Sequence, residues 1–456
     1  MIHKYKMFDM NIVLDICSGA VHVVDDCLYD MLDYLLEPFT AEASCPQFIT
    51  DELSRKYAAD EIAESYEEIC ELVRNGQLFT EDGYEEFAKN WNKQSVVKAL
   101  CLHIAHDCNL RCKYCFAGTG EYHGERGMMS AETGKRAIDF VIANSGSRKN
   151  IEIDYFGGEP LMNFNVVKEI TEYAKAEGAK HGKNFRFTVT TNGLLLDEDK
   201  KKYINENMSN VVLSIDGRRE VNDRMRPRVD GSGTYDSILP KFIDMAESRG
   251  QDNYYVRGTF TAYNKDFAND VIHLADLGFK QTSVEPVVAP EDEDYALTEA
   301  DLPVIFEQYE KLAAEYLKRW KEGNWFNFFH FMIDLDQGPC AIKRLSGCGA
   351  GHEYLAVAAD GDLYPCHQFV GNKDFLMGNV HEGTIDKKIS KYFEDSNIYT
   401  KDKCRGCFAK FYCSGGCSAN AFNFNGDINK PYELACEMEK KRVECAIAVE
   451  AAKKLS

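Results

Sequence analysis

Between residues 98 and 325 the chain alternates between two hydrophobic periodicities. Short apolar runs read as strands: ALCLHIAH (99–106), IEIDYF (151–156), FRFTVTT (185–191), NVVLSID (210–216), YVRGTFTA (255–262) and QTSVEPVV (281–288). Longer stretches between them carry apolar residues at helical spacing, as in AETGKRAIDFVIA, FNVVKEITEYAKAEG and YDSILPKFIDMAESRG. Six β-α repeats of this kind predict an α/β fold with a parallel sheet, either open or curled as a partial (β/α)6 barrel. In such barrels the site lies at the C-terminal ends of the strands.

The flanking segments read differently. Residues 1–95 begin with NIVLDICSGAVHVVD, two apolar runs about Ser18-Gly19 that predict a hairpin. TDELSRKYA offers Thr50 as a helix N-cap, and Ile62, Tyr66, Ile69 and Val73 form an apolar stripe ending before Gly76. A hairpin followed by short helices predicts a winged-helix-like module or, alternatively, a packing extension of the central domain. Residues 340–456 are rich in Cys, Gly and aromatics and poor in long periodic segments. A unit so lean in core is expected to be held together by metal centres.

Composition narrows the classes. A chain of 456 residues predicts two or three units, and 45% hydrophobic with 28% charged residues is a globular profile. The net charge of −21 argues against nucleic acid or an anionic membrane as partner. No apolar run approaches the roughly 18 residues of a membrane span, and the N-terminus lacks a secretory pattern, so a cytoplasmic location is expected. Seventeen cysteines in a reducing compartment are not mainly disulfides, and they gather at 101–115, 340–366 and 404–445, as convergent metal ligands do.

The sharpest pattern is HIAHDCNLRCKYCFAG, in which Cys108, Cys112 and Cys115 are spaced C-x3-C-x2-C directly after the first strand. Three thiols are one short of a closed four-iron or zinc site. The fourth ligand is one of His103, His106 and His123, or the position is open and an iron there binds a substrate or cofactor directly. The spacing and its place in the first βα loop resemble the radical S-adenosylmethionine (SAM) enzymes. That resemblance implies a [4Fe-4S] cluster on the three cysteines. Its open iron is chelated by SAM, whose reductive cleavage yields a 5′-deoxyadenosyl radical that abstracts a substrate hydrogen.

Later strand ends extend the resemblance. YFGGEP supplies Gly157, Gly158 and Glu159, expected to hold the SAM amino group through close backbone approach and a carboxylate acceptor. TTNG and SIDG bring Thr191, Asn192, Ser214 and Asp216, and MRPRVDGSGTYD brings Arg226; Ser214 and Arg226 are candidates for the SAM carboxylate. Tyr114 matches the family's adenine-side aromatic.

Toward the C-terminus, Cys348-x12-Gly361-x4-Cys366, then Cys404-x2-Cys407-x5-Cys413-x3-Cys417, then Cys436, is similar to a SPASM domain with two auxiliary [4Fe-4S] clusters, three clusters in all. The C-x2-C-like pairs alone would also suit a zinc ribbon. By resemblance Cys404, Cys407, Cys413 and Cys436 close auxiliary cluster II, while Cys348, Cys366 and Cys417 hold auxiliary cluster I. The fourth ligand of cluster I is Cys340, or its place is open to a substrate thiolate. Cys17, Cys27, Cys45, Cys70, Cys101 and Cys445 fit no array and are expected to be structural.

SPASM proteins act mostly on peptides, and residues 1–95 resemble the RiPP recognition element, a winged module that binds leader peptides by strand addition. The whole resembles maturases of Cys-rich SCIFF-type precursor peptides, which implies an intramolecular thioether between a substrate cysteine and a carbon of another residue. An electron donor such as flavodoxin or ferredoxin is implied with it. Two other readings stand beside this one. Sulfatase maturation to formylglycine expects an Asp base after the cysteine matching Cys366, where this chain has His367. A non-enzymatic metal-bearing peptide-binding or electron-transfer scaffold would explain the cysteines but not the strand ends.

Overall fold

The N-terminal residues form an antiparallel sheet in the order β1 (Ile2–Met7), β2 (Met10–Asp15) and β3 (Val21–Val24). The computed structural model describes residues 1–35, 39, 44–90, 95–122, 124–336 and 341–456. β2 and β3 are the hairpin expected around Ser18-Gly19, with Leu14 opposite Val21. β1 was not expected, although Tyr5 and Met7 alternate with Lys4 and Lys6 as a half-exposed strand would. Its pairing along the whole of β2, from Ile2 opposite Asp15 to Met7 opposite Met10, makes it a strand.

Helices Gln47–Leu53 and Ala59–Arg74 close over the sheet. Thr50 is not an N-cap. The first of these helices begins after Pro46, whose extended backbone precedes the first turn, and Thr50 lies mid-helix with its hydroxyl on the Pro46 carbonyl (3.5 Å). The predicted stripe does face the core: Ile62, Tyr66 and Ile69 are buried with Leu28 and Met31, and Val73 packs at their edge.

The central sheet is built as the periodicity predicts. β4 (Ala99–His106) carries a two-residue antiparallel arm, β5 (Gly127–Met128). The remaining strands are β6 (Asn150–Gly157), β7 (Asn184–Thr191), β8 (Asn210–Ser214), β9 (Tyr254–Phe260), β10 (Gln281–Pro286) and the short β11 (Asn327–Phe328). They lie in the order β11-β10-β9-β8-β7-β6-β4, all parallel, so chain order is spatial order. Every residue from Ala99 to Ala105 is buried, as a parallel strand covered on both faces requires. The two outermost strands do not pair with each other, so the sheet is an open, partial barrel.

Two features depart from the expectation for 340–456. First, β12 (Tyr354–Val357) adds in parallel to the free edge of β4, so Leu100 lies between Ile153 and Leu355. With β13 (Asp362–Tyr364) and β14 (Gly378–Asn379) it extends the central sheet rather than standing apart. Second, the segment is not poor in long elements, because it ends in the 22-residue helix Glu433–Lys454. That helix escapes a stripe-based reading because from Cys445 through Val449 it is buried without interruption, having neighbours on nearly every side. Lys441 pairs with Glu310 on the central helix Leu302–Lys321 (3.0 Å), while His3 and Tyr5 of β1 bond to Glu444.

The N-terminal unit is thereby seated on the cysteine-rich unit. Lys410, with 2% of its surface exposed, donates to Asp82 (2.6 Å), and Tyr399 donates to the same carboxylate (2.7 Å). The His3 ring stacks on Phe408 at 3.6 Å. Among the described residues no helix is long and apolar enough to cross a membrane.

Candidate active site

β4 ends at His106 and delivers the chain directly into the three-cysteine loop. Asp107 starts the turn by accepting from the Cys108 amide (2.8 Å) and from Arg126 (3.0 Å). The outer run of the loop is zipped to a second segment: the Arg111 amide donates to the Pro227 carbonyl (2.8 Å) and the Lys113 amide to that of Met225 (2.9 Å). Arg111 also donates to the carbonyls of Cys108 (2.7 Å) and Leu110 (2.6 Å). These bonds fix where the thiols of Cys108, Cys112 and Cys115 point, and all three line one cavity of about 380 Å³ at the C-terminal ends of the strands.

The strand ends close around them. Gly157 and Gly158 line the cavity, but the close approach they permit is to the chain's own β4 end. A Cβ on Gly157, which has φ +122°, would sit 2.4 Å from the Ala105 carbonyl oxygen, and one on Gly158 would sit 2.1 Å from that of Asp107. Glu159, 1% exposed, accepts from Leu161 N (3.0 Å), Thr191 Oγ1 (2.8 Å) and Asn192 N (2.8 Å), bracing the ends of β6 and β7 together. Burial pushes its carboxyl up to about 7 against these three donors. Asn192 in turn donates to Asn109 (2.8 Å) and reaches the Cys108 thiol (3.7 Å).

On the opposite wall, Asp216 is fully buried behind the cavity surface rather than part of it. It accepts from Tyr114 Oη (2.6 Å), Arg226 Nε (2.9 Å) and Thr259 N (3.0 Å). Tyr114, Ser214 and Arg226 do line the cavity, so Asp216 orients two wall groups from behind. Replacing Glu159 by Gln should destabilise the fold by about 1–3 kcal/mol, because a backbone donor then faces an amide donor. Chemical denaturation at pH 8, where the wild-type carboxylate is charged, measures this directly.

A family model for the Radical SAM superfamily matches residues 102–277, and a model for the SPASM iron-sulfur cluster-binding domain matches residues 348–408. The chain carries a radical SAM domain followed by a SPASM domain. The cysteine-type anaerobic sulfatase-maturating enzyme of Clostridium novyi is 24% identical over 377 residues, covering 76% of this chain and 95% of that one. The radical SAM cyclopropyl synthase TigE of Paramaledivibacter caminithermalis is 23% identical over 458 residues, covering 92% and 89%. Native anSMEcpe with bound AdoMet and the Kp18Cys peptide shares the fold at TM-score 0.65 and 20% identity, covering 79% of this chain and 99% of that chain. Streptococcus suis SuiB bound to S-adenosylmethionine does so at TM-score 0.50 and 17% identity, covering 94% and 96%.

Two observations fit an iron-sulfur cluster to the radical SAM cysteines. Burial pushes the Cys108 and Cys112 thiols up to about 12, so thiolates there require a strong positive charge in the cavity, which iron supplies. Tyr122 lines the same cavity at 2% exposure, with its hydroxyl lacking a partner among the described residues and its backbone at φ +55°. A buried donor without a partner in the cavity that the three thiols line is what a cluster with sulfide acceptors would satisfy.

In the SPASM domain the thiols fall into two groups. Cys348, Cys366 and Cys417 lie close enough to interact electrostatically, and Cys404, Cys407, Cys413 and Cys436 form a second such set. Lys401, 3% exposed, faces members of both and complements anionic clusters. Cys340 and His123 lie outside the described residues. His103 is fully buried beside His106 (3.3 Å), and neither lines the cavity. Cys17, Cys27, Cys70, Cys101 and Cys445 are buried and Cys45 is half-buried.

Several cavity residues escaped the sequence reading. Arg257 and Glu285, paired at 2.8 Å on β9 and β10, line the wall with Thr259, and Gln368 and Asn420 reach it from the SPASM domain beside His367 and the expected ligand Cys417. The signal for the β9 pair was present: Arg257 and Thr259 are polar at a two-residue spacing while Val256, Gly258 and Phe260 are buried. Gln368 and Asn420 carried no local signal.

Proposed function

We propose that this chain is a radical SAM peptide maturase that forms an intramolecular thioether in a Cys-rich, SCIFF-like precursor peptide. The observation that carries the proposal is the shared cavity: the loop of Cys108, Cys112 and Cys115 and the SPASM residues His367, Gln368 and Cys417 line one space. A substrate cysteine and a reacting carbon could occupy it together.

In this reading Cys108, Cys112 and Cys115 hold the SAM cluster, with Tyr114, Gly157, Gly158, Glu159, Thr191, Asn192, Ser214 and Arg226 around SAM, and Asp216 behind them. Cys404, Cys407, Cys413 and Cys436 hold auxiliary cluster II. Cys348, Cys366 and Cys417 hold auxiliary cluster I, its fourth place taken by Cys340 or the substrate thiolate. When bound, these groups supply a carbon-centred radical that removes a substrate hydrogen, and an acceptor for the electron released as the C–S bond forms. The chain's own part is positional. Asp216 fixes Tyr114 and Arg226, and the Arg257–Glu285 pair presents charged hydrogen-bonding groups to the peptide.

Residues 1–95 would bind the leader as an added strand. β3 is an edge strand of its sheet, with Val23 40% exposed. Curated relatives of the sulfatase-maturating type support a peptide substrate, while His367 in place of an Asp base favours the thioether reading over formylglycine formation.

Anaerobic reconstitution with iron and sulfide, then incubation with SAM, dithionite and a Cys-rich precursor peptide, tests the proposal. The expected result is 5′-deoxyadenosine together with a peptide that has lost two hydrogens and one alkylatable thiol. An unchanged thiol count rejects thioether formation, and absence of 5′-deoxyadenosine rejects the radical reading itself.

A further inference from the structure

Among the described residues two lysines are buried, Lys410 at 2% and Lys401 at 3% exposure, and both lie in the cysteine-rich unit. Lys410 has Asp82 as its counter-ion (2.6 Å). Lys401 has no carboxylate within ion-pair distance among the described residues, and its ammonium donates to the Gly415 carbonyl (2.8 Å). A cation buried without an anion is costly, so its site calls for negative charge close by. Around it are thiols, Cys348 and Cys417 of one set and Cys404 and Cys413 of the other. Two acids that act on the second set are already paired, Glu439 with Arg442 and Glu437 with Lys440.

The backbone puts Lys401 where the two sets meet. Its carbonyl accepts from the Cys404 amide (2.9 Å) and starts the short helix Asp402–Arg405. Three residues separate Cys413 from Cys417, and Ser414, Gly415 and Gly416 have φ of +61°, +87° and +74°. This left-handed run turns the chain from one set to the other. The Lys401 side chain lies across its middle, where a Cβ on Gly415 would sit 3.2 Å from Nζ and 3.3 Å from Cδ. Cys417 lines the reaction cavity, and with Cys413 and Cys436 it also lines an adjoining space of about 400 Å³.

We propose that Lys401 is a positioning residue for electron transfer, whose fixed charge between the two cysteine sets raises the reduction potentials of both auxiliary clusters. This deepens the thioether reading and rests on its two auxiliary clusters. In that reading the substrate thiol loses its proton to water and its sulfur joins the carbon radical. One electron leaves the product as the C–S bond forms, and an auxiliary cluster is reduced by one. A thiolate-ligated cluster gains negative charge on reduction, so a neighbouring cation that water does not screen favours the reduced form. Shared between the sets, the same charge eases entry of the electron at cluster I and its passage to cluster II.

The test is a potentiometric titration of the reconstituted holoenzyme followed by EPR, comparing wild type with Lys401→Gln and Lys401→Arg. Lys401→Gln keeps a donor for the Gly415 carbonyl and removes the charge, whereas Lys401→Arg keeps both. In Lys401→Gln both auxiliary clusters should be about tenfold harder to reduce, a fall of about 59 mV for one electron. The cluster on Cys108, Cys112 and Cys115 should keep its potential in every variant, and Lys401→Arg should keep all three. Unchanged auxiliary potentials in Lys401→Gln overturn the proposal, as does an equal fall in Lys401→Arg; a shift at one auxiliary cluster alone overturns the shared role. If the variants do not assemble their clusters, wild type grown with heavy-nitrogen lysine decides. Lys401 is the lysine acting on Cys417, so pulsed EPR should show coupling to that nitrogen on the cluster I signal, and its absence overturns the proposal. Wild type that binds no iron beyond the SAM cluster overturns the auxiliary-cluster reading instead.

Discussion

Replacing Cys108, Cys112 and Cys115 together by alanine should reduce SAM cleavage to the uncatalysed background and remove about four irons per chain. The three thiols line one cavity, and their loop is held by backbone bonds to Met225 and Pro227 that alanine leaves intact. The barrel core beneath it, with Leu100, Ile153 and Val189 buried in adjoining strands, does not depend on the thiols. The variant should therefore fold, with its thermal midpoint close to wild type, and lose function outright. Iron analysis and a 5′-deoxyadenosine assay read both halves. A Cys45→Ala control, at a half-buried cysteine outside every array, should retain iron and activity. If the triple variant keeps its iron and still cleaves SAM, these cysteines are not the ligands.

The largest stability effect is expected at Asp82. Its replacement by alanine leaves the buried Lys410 ammonium without its carboxylate and Tyr399 without its acceptor. Breaking a buried pair by deleting one partner costs about 3–5 kcal/mol. Lys410→Met should cost less, because Asp82 is the more accessible partner, with 26% side-chain exposure against 1%. The pair replaced together, Asp82→Leu with Lys410→Met, should recover much of the loss. The sign with pH follows from Asp82. Burial works to raise its pKa, but hydrogen bonds from Lys410 and Tyr399 outweigh that and hold it below the usual range. Its contribution is therefore present above the unfolded carboxylate value and is lost as pH falls through the lowered folded one. Denaturation curves of wild type and Asp82→Ala should converge in acid. Because Lys410 lies between Cys407 and Cys413, the Asp82 variants should also loosen the seat of residues 1–95 on that loop.

Much of the site was legible because its parts are local. Cys108, Cys112 and Cys115 lie within eight residues of chain, and a strand leading into a loop needs only its own apolar run to be recognised. Glu159, Thr191 and Asn192 were found as strand-end residues, and the structure brings them together. Their use of one another as hydrogen-bond partners was not legible, nor was the position of Asp216 behind the wall. Thr50 misled because a Ser or Thr before an apolar run is only a capping signal when the backbone ahead of it is not already helical, and Pro46 starts that helix earlier.

By itself the sequence determined the succession of strands and helices that makes a parallel sheet, the loops that carry the three-cysteine motif and its neighbours, and the ordered cysteine spacing of the C-terminal unit. These depend on interactions between residues close in the chain, where periodicity and spacing are sufficient. Only the tertiary structure decided that β12 extends β4, that Glu433–Lys454 is enclosed on nearly every side, that His367 and Cys417 share a cavity with Cys108, and that Lys410 finds Asp82. Each of these joins residues tens to hundreds of positions apart. Their partners are selected by burial and charge pairing in the assembled fold, which leaves no periodic trace along the chain.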